Sequence, residues 1–96
     1  MPMPNPVLNF EQVEALRKHM MINTTQMSKL IGVSRVTYSG WLKGKPVRKS
    51  NDAKARAALK RMFSVLEQHQ WPMPEVIGMT PLHRFNTLLE LLPPQE

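Results

Sequence analysis

The chain has 96 residues, thirteen Lys and Arg against seven Asp and Glu, and a formal net charge of +6. That size suits one domain with a core of a few helices, short for most catalytic architectures, and the absence of cysteine excludes a disulfide framework, a zinc–thiolate site and a thiol nucleophile. No apolar run approaches the roughly 20 residues that span a bilayer and no signal-peptide pattern opens the sequence, so a soluble, cytoplasmic protein is expected, with no membrane partner.

Met1 to Leu8 is rich in Pro and Met without a period and reads as an extended arm over residues 1–8. Residues 9–70 read as the main domain. Asn9 offers an N-cap to a first helix, Phe10 to about Met21, with Gln12 in the capping-box position. Phe10, Val13, Leu16 and Met20 recur at helical spacing and should face the core. Glu14 and Lys18 are spaced to pair on the outer face. His19 has no partner ligand nearby and reads as a surface or partly packed side chain.

Asn23 to Gly44 organises the rest. Asn23 followed by Gln26 gives an N-cap with its box partner, and Met27, Leu30 and Ile31 form one apolar helical stripe. Gly32 interrupts, as a sharp turn with positive φ requires. Ser34 caps a second helix, whose pattern Val36, Tyr38, Trp41 and Leu42 continue until Gly44 and Pro46 stop it. Ser28 is small enough to let the two helices cross closely, and Val33 can plug the corner between them. Two short helices joined by about three residues follow the helix-turn-helix plan, in which the first helix braces and the second presents its N-terminal end to the major groove of DNA.

Gly32-Val33-Ser34-Arg35, then Thr37, Trp41 and Gly44, closely resembles the Cro/C1-type (Xre-like) helix-turn-helix of phage repressors and bacterial regulators. The resemblance covers roughly Phe10 to Leu66 and is most specific over Met27 to Gly44. Tyr38 stands where the family usually has an aliphatic residue, and Asn23-Thr24 where it commonly has Thr-Gln. It implies an all-α, helix-turn-helix bundle, here of about five helices.

Lys45-Pro46-Val47-Arg48-Lys49-Ser50 crowds cations into a loop that Pro46 keeps non-helical, a composition suited to lying along a phosphate backbone. Ser50 or Asn51 should cap a long helix with Asp52 near its positive end. Its apolar face reads as Ala55, Ala58, Leu59, Met62, Phe63 and Leu66, fading by Gln70. Residues 71–96 read as a connector and a C-terminal helix. Pro72, Pro74 and Gly78 argue for an extended connector, with a weakly signalled strand at Glu75-Val76-Ile77. Thr80-Pro81 opens the last helix, whose stripe of Leu82, Phe85, Leu88, Leu89 and Leu92 could fold onto its own domain, pair two chains, or do both.

Charge is segregated along the chain. From Asn23 to Phe63 ten Lys and Arg stand against the single Asp52, while beyond it Arg84 alone faces four Glu. A basic middle with a mildly acidic end suggests a polyanion-binding unit followed by something else. Catalysis finds little support. His19, His69 and His83 are far apart and show no metal-ligand spacing, the carboxylates are scattered, and no nucleophile elbow, P-loop or dinucleotide glycine motif is present. No enzyme activity, cofactor or metal is expected, and the eight Met read as core filling or a soft interface.

The expectation is a sequence-specific DNA-binding transcriptional regulator, a homodimeric repressor of phage or bacterial type that blocks polymerase from a palindromic operator. With Ser34 as cap, Arg35, Val36 and Ser39 lie toward the groove, followed by Gly40 and Lys43. Arg35 suits guanine O6 and N7, Val36 a thymine methyl, and Ser39 a base or phosphate. Gly40 would let the helix approach a groove wall. Asn23, Thr24 and Thr25 would hold one phosphate at a helix start, and Lys45, Arg48 and Lys49 would track the backbone. Tyr38 and Trp41 belong to the core. The alternative is an antitoxin-like or adaptor protein whose C-terminal helix binds a partner protein and whose DNA binding is autoregulatory. RNA binding is disfavoured, because base-stacking aromatics on an open sheet are absent.

Overall fold

Short polar side chains decide where most of the helices begin. The computed structural model describes residues 9–94, so the arm expected over Met1–Leu8 lies outside them. Among the described residues six helices form: α1 (Phe10–His19), α2 (Thr24–Ile31), α3 (Arg35–Leu42), α4 (Lys49–His69), α5 (Pro74–Ile77) and α6 (Pro81–Leu91). Asn9 Oδ1 accepts from the Glu11 and Gln12 N–H groups to start α1. Asn23 and Gln26 exchange both bonds of a capping box at the start of α2. Ser34 Oγ accepts from Thr37 N–H, and Thr80 Oγ1 from His83 N–H, with Pro81 at the first position of α6. Each bond satisfies a backbone donor that a helix start leaves open, worth about 1 kcal/mol.

The long helix departs from expectation. It starts at Lys49 with Arg48 as N-cap, so Ser50 and Asn51 sit inside its first turn rather than capping it. Extended backbone at Arg48 already aims its carbonyl at Asp52 N–H, 2.8 Å away, and the start is left exposed without a side-chain cap. At the other end of the domain, α1 stops short of Met21, which takes a left-handed φ of 62°.

One apolar core draws on every helix. Val13 and Leu16 of α1, Met27 and Ile31 of α2, and Tyr38 and Trp41 of α3 are buried together with Ala55, Ala58, Met62 and Val65 of α4. The α4 face is therefore rotated from the one read in sequence. Phe63 is 51% exposed and Val65 is interior, because the 55-58-62-65 row points inward and Leu59 and Leu66 only flank it. Phe10 packs at the rim, its ring centroid 5.2 Å from Tyr38 and 6.1 Å from Trp41.

The C-terminal segment is docked onto this body. Trp71 is buried and donates from Nε1 to Met20 O at 2.9 Å. Gln26 Nε2 reaches Pro81 O, and Arg61 Nε reaches Pro93 O. The connector is neither extended nor a strand: residues 74–77 form one helical turn, with Pro74 at its first position and Val76 buried. A single turn offers its carbonyls few helical partners, although Val76 O accepts from Met79 N–H. Arg84 answers that need, donating to the carbonyls of Val76, Ile77 and Met79. The sixth helix over the expected five is this turn. Of the α6 stripe, Phe85, Leu88 and Leu92 fill the chain's own core, one of the outcomes the sequence left open, while Leu82 and Leu89 stay 66% and 44% exposed.

Candidate nucleic-acid interface

The α2–α3 corner is built from three residues, Gly32, Val33 and Ser34. Gly32 ends α2 at φ 94°, a left-handed conformation that costs glycine little. Its N–H and that of Val33 both bond to Ser28 O, which closes the helix end. Val33 packs against the core from the corner, and Ser28 is buried with its hydroxyl donated to Thr25 O. Ser34 then restarts the helix. Both helices are eight residues long, so their mutual angle depends on this corner rather than on their own stiffness.

At about 3.6 residues per turn, α3 divides into two opposed faces. Tyr38 and Trp41 point inward, their ring centroids 5.6 Å apart. Arg35, Val36, Ser39 and Lys43 occupy the other side. Arg35 and Lys43 are exposed and Ser39 is half-buried. Val36 is 77% exposed, the largest such fraction among the large apolar side chains of the described residues.

Two backbone-gripping features flank that face. In α2 the capping box uses the N–H groups of Asn23 and Gln26, which leaves those of Thr24 and Thr25 pointing off the positive end of the helix. Asn23 is thus committed to the cap through Oδ1. On the other flank, the loop between α3 and α4 and its neighbours expose Lys43, Lys45, Arg48 and Lys49. Among the described residues the ion pairs are Arg17–Glu14 and Arg56–Asp52, so none of these four cations, nor Arg35, is neutralised by a carboxylate. An open cleft of about 330 Å³ runs between α3 and the start of α4, lined by Val36, Thr37, Gly40, Trp41, Lys45, Pro46, Arg48 and Asn51.

Gly40, expected at a groove wall, lines the cleft but is packed against the chain's own loop. It is buried, and a Cβ there would come 3.1 Å from Lys45 Cδ. Its role is to let the loop fold back over α3, where Lys45 N–H bonds to Gly40 O. Thr37 and Asn51, read in the sequence as a motif position and a possible helix cap rather than as DNA contacts, both line the cleft. Asn51 follows the cationic loop directly, and that adjacency was the available signal.

A polar network lies behind α3. Tyr38 donates its hydroxyl to Glu14 Oε2 at 2.6 Å. Arg17 grips the same carboxylate with Nε and Nη2, each at 2.8 Å, and donates Nη1 to Ile22 O. Glu14 therefore pairs with Arg17 rather than Lys18, and faces inward rather than outward: three residues of separation and the buried tyrosine draw it in. The Arg17 hydrogen bonds, then that of Tyr38, hold the Glu14 carboxyl below its ordinary value against the opposing effect of burial. Burial first, and the Glu14 carboxylate second, push the Tyr38 hydroxyl far upward, so it stays a donor.

Among the described residues no three His, Cys, Asp or Glu side chains gather as a metal site would need, and no helix is long and apolar enough to cross a membrane. No family model, curated protein or solved structure matches the chain.

Proposed function

We propose that the chain is a sequence-specific DNA-binding transcriptional regulator of the helix-turn-helix class, similar to Cro/C1-type (Xre-like) regulators, acting as a dimeric repressor. The observation that carries this reading is the division of α3. One side is locked into the core by Tyr38 and Trp41; the other holds Arg35 and Val36 out beside cations that no carboxylate neutralises.

On this reading α3 enters the major groove. Arg35 takes guanine O6 and N7 in a bidentate contact, Val36 meets a thymine methyl, and Ser39 and Lys43 reach a base edge or phosphate. The Thr24 and Thr25 amides take a phosphate on one side of the groove. Lys45, Arg48 and Lys49 take the backbone on the other, with Asn51 at the cleft between. Repression is steric. One α3 reads only a few base pairs, so two copies set about one duplex turn apart are needed to specify a site. Leu82 and Leu89, on one face of α6, are the positions of its apolar stripe that stay exposed for that pairing.

Selection of bound duplexes from a random DNA pool tests the reading. An inverted repeat with half-sites about one turn apart, ~34 Å, is expected. Recovery of a pool without an enriched motif would remove sequence-specific binding from the account.

A further inference from the structure

We infer that the Tyr38 hydroxyl is a positioning group for base readout: through the Glu14–Arg17 pair it fixes the rotation of α3 about its own axis, and with it the angle at which Arg35 and Val36 meet base edges. The inference rests on the DNA-binding reading and assigns that site a residue that never touches DNA.

Apolar burial of Tyr38 and Trp41 holds α3 against the core, but it sets no direction for the Tyr38 ring tip. Burial is non-directional, and the Tyr38 ring meets Phe10 and Trp41 in tilted rather than stacked contacts, which leave its small rotations to be set by a directional bond. A hydrogen bond of 2.6 Å to a carboxylate is directional. The acceptor is itself immobilised, because Arg17 holds Glu14 through a two-pronged contact. Arg17 also donates to Ile22 O, one residue before the cap of α2. One guanidinium–carboxylate pair therefore ties α1, the start of α2 and the middle of α3. The Thr24–Thr25 amides and the Arg35 side chain, which grip backbone and base on this reading, are held at one spacing by it. Arg35 and Tyr38 belong to one eight-residue helix, so any rotation at Tyr38 is carried directly to Arg35.

The test uses Tyr38→Phe in the full chain, which keeps the ring packing and deletes only the hydroxyl. Affinity is measured for the duplex selected by the wild-type protein and for a scrambled duplex of equal length. Affinity for the selected duplex is expected to fall about tenfold, with the scrambled duplex changed less than about twofold. Equal losses on both duplexes, or an unchanged ratio, would overturn the inference, since a merely structural bond would not move the ratio. Glu14→Gln provides the second arm, and carries the test should Tyr38→Phe not fold. The double variant should lose no more discrimination than the worse single one, because both act through one network. Additive losses would count against it. A wild-type protein that enriches no motif removes the DNA reading itself, whereas a wild type with clear preference and an indifferent Tyr38→Phe removes only the positioning role.

Discussion

Glu14 shows how one residue can serve the fold and the proposed site together. Its carboxylate accepts from Arg17 and Tyr38 while its side chain is only 17% exposed. Because its folded value is lowered, the stability it contributes is complete above the ordinary value of 4.5 and is lost as pH falls through the lowered value. Glu14→Gln should therefore cost about 1.5–3 kcal/mol at neutral pH, the range for hydrogen bonds to a charged group. The gap between the two urea-unfolding curves should close on acidification below pH 4.5; a gap that is constant with pH would show that the charge contributes nothing. Two exposed cations are expected to behave differently from each other. Arg35→Ala should cost about 1–3 kcal/mol on the selected duplex and relax preference at one base pair per half-site. Lys49→Ala should weaken all duplexes alike, and matching behaviour of the two variants would remove Arg35 from base readout.

Among the elements, the α2–α3 corner is the most sensitive. A side chain at Gly32 meets no neighbouring atom, yet its φ of 94° strains any residue bearing a Cβ. Gly32→Ala should cost about 1 kcal/mol or more through backbone strain alone. In α6 the two sides of the helix separate core from surface. Leu88→Ala should destabilise by about 2–5 kcal/mol, as a fully buried leucine does. Leu82→Lys with Leu89→Lys should leave stability nearly unchanged and shift sedimentation from dimer to monomer; an unaltered dimer would place the pairing surface elsewhere. The elements that could be read in sequence are those set by neighbours in the chain: the caps at Asn9, Asn23, Ser34 and Thr80 and the turn at Gly32. Features decided by distant residues could not be read in the same way. The single turn of α5 is braced at its carbonyls by Arg84, and Phe63 is displaced from the core by a rotation of α4 that only packing selects. The same limit hid the acceptor of Tyr38, which lies 24 residues away.

For the molecule as a whole, charge and apolar surface are parted along the chain. The basic middle carries ten Lys and Arg against one Asp, and the segment after it carries one Arg against four Glu. Affinity for any duplex should therefore fall steeply between roughly 50 and 200 mM salt, through release of phosphate counterions. Binding indifferent to salt would exclude backbone contact by these cations. The central claim is that α3, flanked by the start of α2 and the loop before α4, forms the DNA surface. Amide chemical-shift mapping of the 11.1 kDa chain with the selected duplex tests it most directly. The largest changes are predicted at Thr24, Thr25, Arg35, Val36, Ser39 and from Lys43 to Asn51. Changes gathered instead around Phe63, or around Leu82 and Leu89, with α3 silent, would contradict the account.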